Sequence, residues 1–196
     1  GRHGEKLLRS GMNILTHCNA GALAFVDVGT ATAPFYTTKK RINVYCTETR
    51  PRCQGAALTA WELAQHGVPH CLIADTAAGH LMQNDEVDMV ITGSDRVLVQ
   101  SGEVINKIGT YQLAVLAERH KIPFYVAIPR STLDWETSCS SDIPIEERTP
   151  DEVLGAVTAN GWRRIANQGS TAQNPAFDIT PANLITGLIT PIGIVK

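Results

Sequence analysis

Between Asp88 and Tyr111 the chain reads Asp-Met-Val-Ile-Thr-Gly-Ser-Asp-Arg, a polar stretch, and then Asn-Lys-Ile-Gly-Thr-Tyr. Asp95 follows a buried-strand pattern, Met89 to Thr92, and a glycine. Asn106 and Lys107 stand at the mouth of a helix expected to begin near Gly109. A carboxylate at a strand end is a candidate acid or base. An ammonium and a neutral amide donor suit phosphate or hydroxyl oxygens, and a helix N-terminus attracts anions. In an open α/β sheet, ligands sit outside the carboxyl ends of the strands, so these groups fit a site for a phosphorylated substrate. The same residue types also describe a solvated loop in which Asp95 caps a turn or bonds Arg96 and backbone amides, and spacing alone leaves both readings open.

Other residues carry similar pairs of readings. Cys18 precedes Asn19-Ala20-Gly21, a turn able to aim its sulfur at a pocket; an inert buried thiol is the alternative. Gln54 stands at a helix start just after Arg50-Pro51, as an amide contact or as an exposed first-turn residue. His17 and His80 are expected to be hydrogen-bonded structural histidines. Trp61 and Tyr111, spaced helically with aliphatic residues, are expected in the core, as are Cys46 and Cys71 in strands.

The elements that must position these groups alternate. Strands are expected at Asn13–Thr16, Ile42–Cys46, His70–Ala74, Asp88–Thr92 and Phe124–Ile128, with a weaker sixth at Ile192–Val195. Their Val, Ile and Leu content fits strands covered on both faces. Helices are expected over Gln54–His66, with Ala57, Leu58, Trp61 and Leu63 on one face, over Ala77–Asn84, and over Gly109–His120. Strand–helix repetition with short connections implies an α/β fold, a Rossmann-like, doubly wound and mostly parallel sheet flanked by helices. Residues 129–180, rich in Pro, Ser, Thr and Asp, are expected to be long functional loops with at most short helices. Thr180-Pro181 reads as a helix N-cap and first-turn proline leading into Ala182–Leu188.

Composition excludes several functions. With 196 residues, 43% hydrophobic and 18% charged, the chain has ordinary globular usage. A formal charge of −2 provides no basic face, so nucleic acid is not an expected partner. No apolar run approaches the roughly 20 residues needed to span a bilayer, and the first residues form no signal peptide, so a cytoplasmic location is expected. Five cysteines, odd in number and without a Cys-x-x-Cys pair, argue against a disulfide framework and a structural zinc site.

Taken in order, five segments resemble a known family: Thr16-His17-Cys18-Asn19-Ala20-Gly21; Glu48-Thr49-Arg50-Pro51 with Gln54-Gly55 and Leu58-Thr59-Ala60-Trp61-Glu62-Leu63; Gly93-Ser94-Asp95-Arg96 with Asn106-Lys107-Ile108-Gly109-Thr110-Tyr111; Asp142-Ile143-Pro144-Ile145-Glu146-Glu147-Arg148; and Asn174-Pro175-Ala176-Phe177-Asp178-Ile179-Thr180-Pro181. The set resembles the S-methyl-5-thioribose-1-phosphate isomerases of methionine salvage, from about residue 11 to the C-terminus. Much of it is shared with the alpha, beta and delta regulatory subunits of the exchange factor for initiation factor 2, and with the archaeal ribose-1,5-bisphosphate isomerases. The regulatory subunits lack the cysteine–aspartate pair, which favours the salvage isomerase.

What the resemblance implies is an aldose–ketose isomerase without cofactor or metal, converting 5-methylthioribose 1-phosphate to 5-methylthioribulose 1-phosphate. Asp95 would be the acid/base (proton donor) and Cys18 the transition-state stabiliser; Gln54, Asn106 and Lys107 would bind substrate. The alternatives are a non-catalytic regulatory subunit and an isomerase of 5-deoxyribose 1-phosphate or ribose 1,5-bisphosphate. The resemblance also implies a homodimer. It divides the chain into a lead-in over 1–12 and a Rossmann-like catalytic domain over 13–196.

Three departures stand out. The family's largely helical N-terminal region, which supplies an Arg-Gly-Ala segment and a further arginine to the phosphate site, has no match here. Those groups are expected from a further domain or a companion chain, and this chain alone is expected to turn over poorly. Pro34 interrupts the helix expected after Gly29-Thr30-Ala31, so a turn or a frayed helix is expected there. Ser94 replaces the family's usual alanine, and its hydroxyl is expected to donate to Asp95 and lower its pKa.

Overall fold

The computed structural model describes residues 1–196. Chain order begins β1 (Asn13–Thr16), α1 (Ala33–Thr37), β2 (Asn43–Thr47), α2 (Ala60–Gln65, entered through a π-helical turn over Gly55–Thr59), β3 (His70–Ile73), α3 (Ala78–Gln83) and β4 (Met89–Thr92). It continues with β5 (Arg96–Leu98), β6 (Val104–Lys107), α4 (Thr110–Arg119), β7 (Phe124–Ala127), β8 (Leu133–Asp134), α5 (Asp151–Leu154) and β9 (Gly155–Thr158). The last elements are β10 (Gly161–Arg164), β11 (Phe177–Thr180), β12 (Gly187–Thr190) and β13 (Gly193–Val195). No helix is long and apolar enough to cross a membrane.

The main sheet has seven strands in the order β13-β12-β7-β4-β1-β2-β3. All its pairings are parallel except β12 with β13. Chain direction across the sheet reverses between β1 and β4, since β2 and β3 lie to one side of β1 and β4 and β7 to the other. Alternate residues of the central strands serve opposite layers. Ile14, Met89 and Ile91 pack into one apolar cluster with Phe35, Val44 and Leu63, while Leu15, Val90, Phe124 and Val126 join Met82, Leu113 and Ala117 in the other. That is the two-sided burial which a parallel sheet requires.

The structure corrects several expectations. The stretch after Asp95 is not a loop: β5 and β6 form a hairpin inside a second sheet, β11-β6-β5-β8. Residues 129–180 likewise contain β8, α5, the β9–β10 hairpin and β11. No helix covers Ala182–Leu188; Thr180 ends β11, Ala182–Leu184 is a single 3-10 turn, and Gly187–Thr190 is a strand. The β-branched run Ile185, Thr186, Ile189, Thr190 fits the pleated seat beside β7, where Leu188 pairs with Val126 and Ile189 is buried. Sheet pairing there outweighs a local capping signal.

Pro34 falls in the first turn of the five-residue α1, where its missing N–H has no intrahelical role. Trp61 and Tyr111 are not core residues, being 53% and 45% exposed. Of the face expected on α2 only Leu63 is buried, because α2 turns the buried Glu62 inward beside it. Cys71 lies exposed on β3, the edge strand, whereas Cys46 is buried as expected.

Candidate active site

Every residue singled out for chemistry in the sequence lines one cavity of about 410 Å³: Cys18, Gln54, Asp95, Asn106 and Lys107. The cavity opens at the carboxyl ends of β1 and β4, where the winding direction reverses and ligands of doubly wound folds bind. Cys18 follows β1, and Asp95 follows β4 across the Gly93-Ser94 turn. Gln54 arrives from the loop after β2, while Asn106 and Lys107 are the last residues of β6.

His17 fixes the root of the cysteine turn. Its Nε2 lies 2.9 Å from the Ile108 carbonyl, which can only accept, so Nε2 carries the proton. Nδ1 therefore accepts from the Thr47 hydroxyl at 2.6 Å. Burial lowers the His17 pKa and keeps the ring neutral, so it is the structural histidine expected. His80 pairs with Asn84 one helical turn away and does not line the cavity. Gly109, at φ +103°, lets the chain turn from β6 into α4; a Cβ there would lie 3.1 Å from the His17 ring.

Cys18 is half-buried, and burial pushes its thiol up to about 11, although Lys107 and Arg148 pull the other way. At neutral pH the sulfur is a protonated weak donor rather than a thiolate nucleophile. The Asp95 residue is exposed on the open side of the cavity, yet the surrounding walls desolvate its carboxyl. Desolvation raises its pKa and outweighs the opposing pull of Lys107 and then Arg148.

Ser94 does not donate to Asp95. Its hydroxyl faces the Arg96 and Ile105 carbonyls at 2.8 and 3.0 Å and accepts from the Arg96 amide, closing the turn between β4 and β5. Arg96 is also engaged elsewhere, with Asp134 at 3.0 Å. The Asp95 carboxylate is thus neither a turn cap nor one half of an ion pair.

Asn106 and Lys107 are 5% and 4% exposed. The Thr110 hydroxyl donates to the Lys107 carbonyl at 2.7 Å, so it can only accept from Asn106 Nδ2 at 2.9 Å. That assignment leaves Asn106 Oδ1 as an acceptor, where the sequence reading had a donor. Lys107 Nζ donates to the Ala176 carbonyl at 2.9 Å and lies 4.5 Å from the centre of the Phe177 ring. Desolvation, then the neighbouring Arg148, lowers the Lys107 pKa.

Arg148 closes the Asp142–Arg148 segment, and the sequence alone assigns it no role. Its guanidinium lies 5.5 Å from the same Phe177 ring, lines the same cavity, and has a buried Nε without a partner. The Glu146–Arg148 segment is placed by pairing with Asn174–Ala176, where the Arg148 amide donates to the Asn174 carbonyl and the Ala176 amide to the Glu146 carbonyl. Arg148 already pairs with the exposed Glu146 carboxylate at 3.0 Å, while Lys107 has no carboxylate partner, so a substrate anion between the two cations would compete with Glu146 for one and neutralise the other. Gln54 is a further unfilled group, with a buried Oε1 that no atom of the chain bonds. The signal that could have found Arg148 is its place one motif before Phe177, but only the strand register shows that the two meet.

The helix N-terminus, by contrast, is already occupied. Asp178 on β11 accepts from the Gly109 and Tyr111 amides at 2.7 and 3.1 Å and so caps α4, which removes that end as an anion site. Burial pushes the Asp178 carboxyl up to about 6, against the two amides and Lys107. Its folded pKa therefore exceeds the unfolded value near 4. The resulting stability is fully present below about pH 4 and is lost as pH rises through about 6. Asp178→Asn does not titrate. Relative to that variant, the wild-type chain is expected to lose about 1–2 kcal/mol between about pH 4 and 7. Urea denaturation at both pH values measures this, and a pH-independent difference would contradict it.

The remaining motif residues are structural. Arg50 donates to the Pro51, Glu152, Val153 and Gly155 carbonyls at 3.0–3.1 Å, tying α5 to the loop after β2. Asp75 accepts from the Thr49 and Arg50 amides at 2.7 Å.

The chain as a whole is similar to several known proteins. The initiation factor 2 subunit family matches residues 1–196. A methylthioribose-1-phosphate isomerase from Gluconobacter oxydans is 53% identical over 98% of the chain and 57% of its own length. A crystal structure of 5-methylthioribose 1-phosphate isomerase from Pyrococcus horikoshii matches with TM-score 0.88 and 45% identity, over 99% of this chain and 53% of that one. A structure from A. fulgidus titled translation initiation factor eIF-2B, subunit delta, matches with TM-score 0.88 and 44% identity, over 98% and 55%. The chain spans about half the length of the curated relatives it matches.

Proposed function

We propose, because the chain belongs to the initiation factor 2 subunit family, that it carries the active site of an isomerase converting 5-methylthioribose 1-phosphate to 5-methylthioribulose 1-phosphate in methionine salvage. One observation carries this reading. Cys18, Gln54, Asp95 and the Asn106-Lys107 pair come from four separate segments and line one cavity beside a second cation, Arg148. Relatives named for this reaction support it, being over half identical across nearly all of the chain.

An aldose phosphorylated at C1 cannot open its ring freely, so opening needs a proton delivered to the leaving ring oxygen. Hydrogen must then pass from C2 to C1. Asp95 is the group for the proton: its raised pKa keeps it protonated at higher pH than an ordinary aspartate, and no partner in the chain holds it. The neutral Cys18 thiol borders the reacting carbons as a weak donor in a desolvated wall. Lys107 and Arg148 bear the phosphate or the oxygen charge that develops on C1 and C2. Asn106 Oδ1 and the Gln54 amide take the hydroxyls.

The test is direct. Incubating the protein, together with the further domain or companion chain expected to complete the phosphate site, with 5-methylthioribose 1-phosphate is expected to replace the anomeric C1 signal by that of the ketose in a carbon NMR spectrum. Absence of ketose would remove the catalytic reading and favour a non-catalytic regulatory subunit, which the likeness to the initiation-factor structure supports. Turnover of 5-deoxyribose 1-phosphate or ribose 1,5-bisphosphate instead would keep the chemistry and change the substrate. A homodimer is part of the same proposal; sedimentation equilibrium tests it, and a monomer would remove it.

A further inference from the structure

Glu62 is a buried carboxylate without a cation. It is 2% exposed on α2 and takes part in no ion pair. Four neutral donors converge on it. Asn19 Nδ2 and the Leu23 amide reach Oε1 at 2.9 and 3.2 Å, and the Ala22 amide and Tyr36 hydroxyl reach Oε2 at 2.7 and 3.4 Å. A buried charge of this kind is seldom the most stable filling for its space; an apolar side chain of similar volume often serves as well or better. What the carboxylate supplies is geometry. Three of its four donors belong to residues 19–23, the segment that leaves Cys18.

Cys18 itself sits at φ +61°, a left-handed conformation that non-glycine residues rarely adopt unless their surroundings hold them there. Two threonines flank it: its amide donates to Thr49 Oγ1 at 2.9 Å, and the Thr59 hydroxyl donates to its carbonyl. Thr59 also accepts from Asn19 Nδ2 at 3.1 Å, so Thr59 and Glu62, one turn apart, grip the cysteine turn together. Gly21 completes the fit, because a Cβ there would collide with the Glu62 carboxylate.

We propose that Glu62 is the positioning residue for Cys18, an acceptor-only anchor that holds residues 19–23 so that the thiol faces the cavity in its left-handed turn. The proposal rests on reading Cys18 as an active-site group. Glutamine cannot substitute, since its NH₂ would meet an N–H donor where the carboxylate meets it with a lone pair.

Two readouts separate positioning from mere support. In Glu62→Gln, kcat for 5-methylthioribose 1-phosphate is expected to fall about 10- to 100-fold, with KM within about threefold. Independently of turnover, alkylation of Cys18 by iodoacetamide, followed by peptide mass spectrometry, is expected to speed up at least about fivefold as the turn loosens. Cys71 and Cys139, both exposed, are internal controls and are expected to react as in wild type. Thr59→Val, a milder change, is expected to move Cys18 in the same direction should Glu62→Gln fold poorly. Unchanged Cys18 reactivity in both variants, or equal acceleration at all cysteines, would overturn the proposal. A wild-type protein that makes no ketose, but whose Cys18 alone responds to Glu62→Gln, would overturn the isomerase reading and leave the positioning role standing.

Discussion

Asp95→Asn is expected to lower kcat about a thousandfold while leaving KM within about threefold. The amide keeps the size of the carboxyl but can neither deliver nor take up a proton in the working pH range. Nothing in the chain donates to the Asp95 carboxylate, so the substitution orphans no partner, and the turn survives because the Asp95 amide still donates to the Ile105 carbonyl at 3.1 Å. A thermal melt is accordingly expected to be nearly unchanged, which separates chemistry from folding. The pH profile gives a second readout. Desolvation holds the Asp95 pKa above the ordinary carboxylate range, so the limb it governs should lie above that range in wild type and be missing in the variant. Full activity in Asp95→Asn would remove Asp95 from the mechanism.

Lys107→Met is the second large effect. Methionine fills the stem volume but cannot bind an anion, so KM for the sugar phosphate is expected to rise about 10- to 100-fold, the worth of one charge-assisted hydrogen bond. Lys107 is also the larger of the two charges that pull the Asp95 pKa down. Removing it leaves desolvation less opposed, so the limb governed by Asp95 should move to higher pH. Steady-state kinetics across pH and titration calorimetry with the substrate measure both. A normal KM combined with an unmoved pH limb would mean that Lys107 serves only the Ala176 carbonyl and the Phe177 ring.

Much of the fold was legible because the parallel strands are self-announcing. Asn13–Thr16 and Phe124–Ile128 are apolar on both faces, bounded by turn residues, and end within a residue of where the strands end. The candidate site was legible for a different reason. Cys18, Gln54, Asp95, Asn106 and Lys107 stand in long motifs that resemble a family, and each follows a strand or opens a helix in the simple strand–helix reading.

The misreadings share one cause. β5 and β6 sit in a stretch broken by Arg96, Gln100, Ser101, Gly102, Glu103, Asn106 and Lys107, which reads as a polar loop, and they become strands by pairing with β11 some seventy residues later and with β8. Thr180-Pro181 mimics a helix start locally, but Thr180 pairs with Val104. Trp61 faces outward because α2 spends its inner face on Leu63 and on Glu62, a charge that no hydrophobic pattern would place inside.

By itself, then, the sequence determined the α/β alternation, the covered central strands and the residues with chemistry to offer, since local pattern and residue type are properties of neighbours along the chain. Tertiary structure alone decided how those residues meet. The order β7-β4-β1-β2 puts Cys18 and Asp95 on either side of the reversal. The β6–β11 register sets Lys107 opposite Phe177, on the same ring that Arg148 reaches from its pair with Glu146, and it turns Asp178 onto α4 so that the helix end binds no substrate anion. Register and strand order are settled by long-range pairing and burial, whose energies depend on residues far apart in sequence.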